Sequence, residues 1–467
     1  MQSKLPGDLT DRTAAAVAPN HAFHTAVIAP ATVRLPIHFF VFSVIWFTCG
    51  SVLLPWLAPE AIRFFYQPSV LSLVHMFTLG FITSAIMGVM YRYVPALTRR
   101  PVAYPRLARV QFLSYAIGVA GMVTHFALGD WTGLWWSAAL VLAGIILFAL
   151  NLLPPLWAGF GRGVAETGMF AAICFLLAAA SLGLLAGIEE VHGFIFGNLV
   201  TTLGGHLTFA AIGWMTLTIC AASYRFIPAF ILPKKPLPRI ALWRVVALAM
   251  ATLGLGISLL LRLPGVWGWG LAVAGALLAY VIIMATLVGS RRIAIDWSLS
   301  HALAGMLWLI VALVLGQAVT WFGGWSVEGA PFAGALATAA LLGWAGNFII
   351  AMSYQLFPGF VARVRAALGF PTLTIAKLSA PRLRPFILLA FNAGVIAIAV
   401  AFVLGAPALG AVGGCLIMGA VVPYAAITCW TLSFAYRASV MPSRQRAVRI
   451  PPARARSGGD RTGGRRP

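Results

Sequence analysis

Acidic side chains are nearly missing from this chain. Its 467 residues hold ten Asp and Glu against 32 Lys and Arg, and charged residues of both signs make up only 9%. A water-soluble globule carries about a quarter charged residues, so that class is excluded. Cysteine is scarce as well. Cys49, Cys174, Cys220, Cys415 and Cys429 are scattered, mostly inside apolar segments, and form no paired framework. Such residues are expected to act as small buried hydrophobes. Residues 1–31 contain Lys4, Asp8, Asp11 and Arg12 and no isolated apolar core, so no cleavable signal peptide is expected. No motif for nicotinamide, flavin or nucleotide phosphate is present. The long apolar runs contain essentially no Asp or Glu, which lowers the weight of a mid-membrane proton or cation relay.

What fills the sequence is hydrophobic: 61% of residues, with a mean hydropathy of +0.94. Stretches of about 20 apolar residues span a bilayer, and in lipid their backbones must pair internally as helices. Twelve helices are expected, over 35–57, 68–92, 108–128, 133–158, 165–187, 196–228, 240–261, 265–288, 297–319, 331–357, 384–405 and 408–437. The fold class is therefore all-α, a polytopic membrane protein.

The formal charge of +22 resembles a nucleic-acid signal, but the helix count sorts it differently. Arg99, Arg100, Arg106 and Arg109 fall between helices 2 and 3. Lys234, Lys235, Arg239 and Arg244 fall around the connection from 6 to 7. Arg291 and Arg292 lie between 8 and 9, and Arg363, Arg365, Lys377, Arg382 and Arg384 between 10 and 11. With Lys4, Arg12, Arg34 and an Arg-rich tail from Arg444, all lie on one side. The other side has Arg63, Arg262, Glu60, Asp130, Glu189, Glu190 and Glu328. The positive-inside rule then places both termini in the cytoplasm, as in a bacterial-type inner (cytoplasmic) membrane protein. The expected partner is the lipid bilayer and not nucleic acid. Residues 1–31 read as a cytoplasmic extension, 32–440 as one membrane domain, and 441–467 as a basic, disordered cytoplasmic tail suited to anionic lipid.

One pattern recurs three times: Gly, an aromatic, nine mostly apolar residues, Tyr, three residues, Pro. The copies are Gly80-Phe81…Tyr91…Pro95, Gly213-Trp214…Tyr224…Pro228 and Gly343-Trp344…Tyr354…Pro358, starting 133 and 130 residues apart. The spacing predicts three pseudo-symmetric four-helix repeats, 32–162, 163–292 and 293–440. The Tyr suits an interface belt, and the Pro should end its helix. The Gly allows close approach of a neighbouring helix or a flat ligand.

The copies differ in histidine. His75 precedes the first Gly, His206 the second, and the third copy has neither. His125, near the outer end of helix 3, and His192, just before helix 6, belong to the same half of the topology. His38 and His301 sit at matching places early in helices 1 and 9, and His21 and His24 lie in the N-terminal extension. Imidazole buried in a membrane protein needs a hydrogen-bond partner or a metal, and Thr78, Thr201, Thr202 and Thr208 are the nearby polar groups. Imidazole also serves as an axial haem ligand and a copper ligand. No CxxCH motif exists, so the haem type left open is b. The candidate cofactor ligands are His75, His206 and His125, and the candidate copper or iron ligands are His206, His192 and His75.

The run Val74-His75-Met76-Phe77-Thr78-Leu79-Gly80-Phe81…Gly88…Tyr91…Pro95 resembles the second helix of haem-copper oxidase and nitric oxide reductase catalytic subunits. Gly205-His206…Gly213-Trp214…Tyr224…Pro228 looks like its sibling. More loosely, the chain resembles haem- and copper-containing membrane proteins tied to nitric oxide stress. The oxidase resemblance implies twelve helices in three arcs, a low-spin haem on His75, and a copper or non-haem iron centre at His206. The chain departs from that pattern where the family carries a helix-10 His pair, since Thr338 and Leu336 stand at the corresponding places. It also has no histidine in 240–261. The implied function is a b-type haem or metal membrane protein without a complete binuclear centre. It would act in electron transfer, nitric oxide response or metal and haem handling, with a respiratory or electron-transfer partner. A small-solute transporter and a respiratory-complex assembly protein are the alternatives.

Overall fold

The computed structural model describes residues 33–193, 199–324, 326–371, 373–374, 378 and 381–437. The N-terminal extension, with His21 and His24, and the tail 441–467 lie outside these. Among the described residues twelve helices are long and apolar enough to cross a membrane: α1 Leu35–Arg63, α2 Pro68–Thr98, α3 Leu107–Leu128, α4 Leu134–Trp157, α5 Val164–His192, α6 Leu199–Ile231, α7 Ala241–Leu260, α8 Val266–Gly289, α9 Trp297–Phe322, α10 Ala330–Ala367, α11 Pro381–Leu404 and α12 Pro407–Ser433. The chain is an all-α, twelve-helix polytopic membrane protein.

Burial separates these helices into two sets. In α2, α6 and α10 the most apolar windows are 72%, 78% and 78% buried, whereas in the other nine the figure runs from 28% to 50%. The three helices that carry the repeated pattern are thus the interior ones. Consecutive helices pack side by side around them, and α12 packs along α1 to close the ring. The lipid-facing helices expose large apolar side chains such as Leu389 and Leu307, as expected where the solvent is hydrocarbon.

Each interior helix is interrupted by a π-helical stretch at the repeated Gly: Met76–Thr83, Thr208–Thr216 and Ala339–Gly346. A π turn widens the helix and turns it out of step with its flanks. A polar side chain just beyond or at the end of each stretch reaches back to a helix carbonyl: Ser84 to Leu79, Thr216 to Ala211 and Asn347 to Gly343. The close-packing expectation for the glycines holds. A Cβ at Gly80, Gly213 or Gly343 would lie 2.5 Å from Trp46, Phe175 or Trp308 respectively, one aromatic each from α1, α5 and α9.

The repeated Tyr and Pro do something other than expected. Tyr91, Tyr224 and Tyr354 are buried and do not form an interface belt. Each packs edge-to-face on an aromatic of α4, α8 or α12: Phe148 at 5.5 Å, Tyr280 at 5.5 Å and Tyr424 at 5.9 Å. Pro95, Pro228 and Pro358 lie inside their helices, which continue to Thr98, Ile231 and Ala367. Several charged residues expected in loops are helical too. Arg63 ends α1, and Glu189 and Glu190 lie in the last turns of α5. Arg365 is fully buried in α10, where Nε donates to Pro371 O and Nη1 to Phe434 O and Arg437 O, tying α10 to the end of α12.

The described loops of one end, which we term the basic end, include 99–106, 158–163, 232–240, 290–296 and 368–371. They carry Arg99, Arg100, Arg106, Arg162, Lys234, Lys235, Arg239, Arg291 and Arg292, while Arg109, Arg244, Arg363, Arg365, Arg382 and Arg384 lie in the adjoining helix ends. Two of these loops pair directly, through Lys234 N to Ser290 O and Arg292 N to Ile231 O. His75, His206 and His125 lie toward the opposite end, and His38 and His301 toward the basic end.

Candidate functional site

His75 sits seven residues into α2, about 10 Å along its axis, at the last residue before the π stretch. His206 occupies a similar position, two residues before the π stretch of α6. Both imidazoles are half-buried, toward the same end of the helix bundle. Neither is fully closed off, each keeping part of its surface accessible.

Each ring is held by its Nδ1. His75 Nδ1 lies 2.7 Å from Leu71 O, one turn back on α2, and His206 Nδ1 lies 2.8 Å from Ala179 O on α5. A carbonyl oxygen only accepts, so Nδ1 carries the hydrogen in both rings. The neutral imidazole then presents its lone pair at Nε2. Two nearby hydroxyls are turned away from that lone pair. Thr78 Oγ1 donates to Val74 O and Thr208 Oγ1 to Gly204 O, each within its own helix. Packing fixes the ring planes. His75 stacks on Phe126 of α3 at 4.8 Å and 24°. His206 lies over Gly183 of α5, where a Cβ would come 2.9 Å from its Cε1. Neither Phe126 nor Gly183 carries a sequence signal for this role.

The other candidates are placed elsewhere. The residue of α3 that meets His75 is Phe126, while neighbouring His125 turns to α4. There it meets Trp136 edge-on at 5.4 Å, and its Nδ1 lies 2.9 Å from Asp130 Oδ2. Asp130 Oδ1 accepts from Thr132 N and Oγ1 and from Gly133 N, closing the α3–α4 turn. These bonds, Thr132 foremost, hold the Asp130 carboxyl below the usual carboxylate range. His192 is exposed at the end of α5. Among the described residues, no three His, Cys, Asp or Glu side chains converge as a metal-ligand group.

A second polar constellation lies toward the basic end and is built on His301, which is fully buried. Its Nδ1 is 2.8 Å from Asn347 Oδ1. Asn347 and Asn392 exchange bonds at 2.9 and 3.1 Å, and Trp308 Nε1 donates to Asn392 Oδ1. Trp308 Nε1 only donates, and Leu388 O and Gly343 O only accept, which fixes both amide orientations. Two asparagines in otherwise apolar helices were the available sequence signal. The network ties α9, α10 and α11 together at the third π stretch.

Comparison with protein-family models gives no match, and comparison with curated proteins gives none either.

Proposed function

We propose that this chain is a b-type haem membrane protein in which His75 and His206 are the axial ligands. The observation that carries the reading is the shared tether. In both rings Nδ1–H is donated to a backbone carbonyl, so Nε2 is free and its orientation fixed. Metal-binding histidines are held in this way by their outer hydrogen bonds. The porphyrin supplies four nitrogens to its iron, so two imidazoles complete the coordination without the three-residue cluster that a bare metal ion needs. Bound haem would supply one-electron transfer, and bis-histidine ligation favours that use over gas binding. The protein's own work is positional. Leu71 O and Ala179 O orient the rings, and Phe126 and Gly183 set their planes. The interior placement of α2 and α6 keeps bulk water away.

The finer architecture belongs to the same proposal. Three four-helix repeats, 32–162, 163–292 and 293–440, surround a pseudo-threefold axis. Three features support this: a π stretch at each repeated Gly, the matched aromatics Trp46, Phe175 and Trp308, and the three Tyr-to-aromatic pairs. The sorting of basic loops supports cytoplasmic termini in a bacterial-type inner membrane, with a respiratory or electron-transfer protein as partner. Copper or non-haem iron at His206 is the subordinate form of the proposal.

The test is stoichiometry. Protein expressed with haem precursor supplied and purified in detergent should carry haem b at a ratio to polypeptide near that of a single site. A preparation that repeatedly lacks haem, copper and iron, while stabilised by an uncharged or anionic solute, would point to transport instead.

A further inference from the structure

The His301 constellation leaves two buried polar atoms without a protein partner. Asn347 Oδ1 only accepts, so His301 Nδ1 carries the ring hydrogen. Nε2 is then a bare acceptor, and no donor among the described residues reaches it. The second atom is Tyr354 Oη, on a ring whose centroid lies 6.0 Å from that of the imidazole. Asn347 and Tyr354 stand two turns apart on one face of α10, and His301 of α9 meets both. The imidazole is 0% exposed and the phenol 8%. A buried acceptor and a buried hydroxyl that stay unpaired each forfeit the hydrogen bonds that water gives them in the unfolded chain.

The chemistry of these two atoms selects the partner. An anion needs donors, and Nε2 offers a lone pair. A metal cation would suit both atoms, but Arg384 Cζ lies over the Tyr354 ring at 4.4 Å and places a fixed positive charge beside them. The nearby carboxylate, Asp296, is already engaged: Oδ1 accepts from Leu299 N and Oδ2 from Gln355 Nε2. An apolar guest would leave both atoms unpaired. What remains is a small neutral molecule that both donates and accepts, which is water. Access is short, because the exposed Asp296–Gln355 bond at the basic end is five residues from His301 on one helix and adjacent to Tyr354 on the other. Water held there would continue the network that runs from Trp308 through Asn392 and Asn347 to His301.

We infer that the junction of α9, α10 and α11 binds ordered water that donates to His301 Nε2 and is held by Tyr354 Oη. The site lies toward the basic end, away from His75 and His206, and does not depend on haem. The test is hydroxyl-radical labelling by X-ray pulses on the full chain in detergent, read residue by residue by mass spectrometry. A buried side chain is labelled when radicals form in water bound against it. Tyr91 is the control: it is 5% exposed, and its Oη already donates to Gln111 Oε1. In the wild type Tyr354 should be labelled several-fold faster than Tyr91. His301→Phe removes the acceptor and should bring Tyr354 down to the Tyr91 rate. Thermal unfolding identifies a variant that has not folded. Tyr354→Phe then stands in, with several-fold slower oxidation of His301 as its readout. Labelling of Tyr354 no faster than Tyr91 in the wild type, or undiminished labelling in a folded variant, would overturn the inference.

Discussion

At the scale of single residues, the sequence showed which positions matter more clearly than what they touch. The repeated glycines are legible as a pattern, and their contacts make them testable. Gly80→Ala, Gly213→Ala and Gly343→Ala each drive a Cβ into a ring of α1, α5 or α9. Overpacking of this kind costs about 1–3 kcal/mol, read as a lowered unfolding temperature in detergent. Gly359→Ala, with nothing within 4 Å of the new Cβ, should be neutral or gain up to about 1 kcal/mol from helix propensity. The repeated tyrosines were misread because a phenol suits both an interface and a core, and sequence alone does not say which. His125 and Phe126 are neighbours on α3, about 100° apart, so only one of them can meet His75. Its loop partner provides a pH test. The folded Asp130 carboxyl titrates below its ordinary value. Its stabilising bonds are therefore fully present above that ordinary value and are lost as pH falls through the folded value. Hydrogen exchange of the 130–133 amides should accelerate below about pH 3.8, the ordinary value, and Asp130→Ala, which removes the acceptor, should show fast exchange at neutral pH. Slow exchange in that variant would remove the carboxylate from its role.

At the scale of elements, twelve helices were legible because hydropathy alone reports membrane spans. Their ends were less so. Arg63, Glu189, Glu190 and Arg365 are charged and so read as loop, yet each continues a helix. The π stretches left no trace in sequence, because an all-apolar run has no polar register from which to read an extra residue. They carry a prediction. Deleting one residue from Met76–Thr83 removes the extra residue of the wide turn, restores α geometry and repacks the stretch that follows His75. The variant should insert and remain helical but lose cofactor. Retention of wild-type cofactor content would show that the π stretch does not set the ring direction. Gly183→Ala acts on the same geometry from α5, pushing on His206 without touching its Nε2.

At the scale of the molecule, His75 and His206, 131 positions apart in sequence, stand on two of the three interior helices and toward the same end of them. The proposed pairing was not legible in the sequence, because depth along separate helices does not fix the distance between them. Orientation is testable directly. Reporter fusions after Gly193 should read outside and fusions after Lys235 inside, and the reverse result would invert the topology. The most direct measurement on the histidine site is the optical spectrum of the reduced and oxidised protein, compared with His75→Ala and His206→Ala. The wild type should show a Soret band and the sharp visible bands of a low-spin b-type haem. Each substitution should shift or abolish them, since losing an axial ligand changes the iron's coordination. Haem bound with unchanged spectra in both variants would contradict the assignment of these two residues.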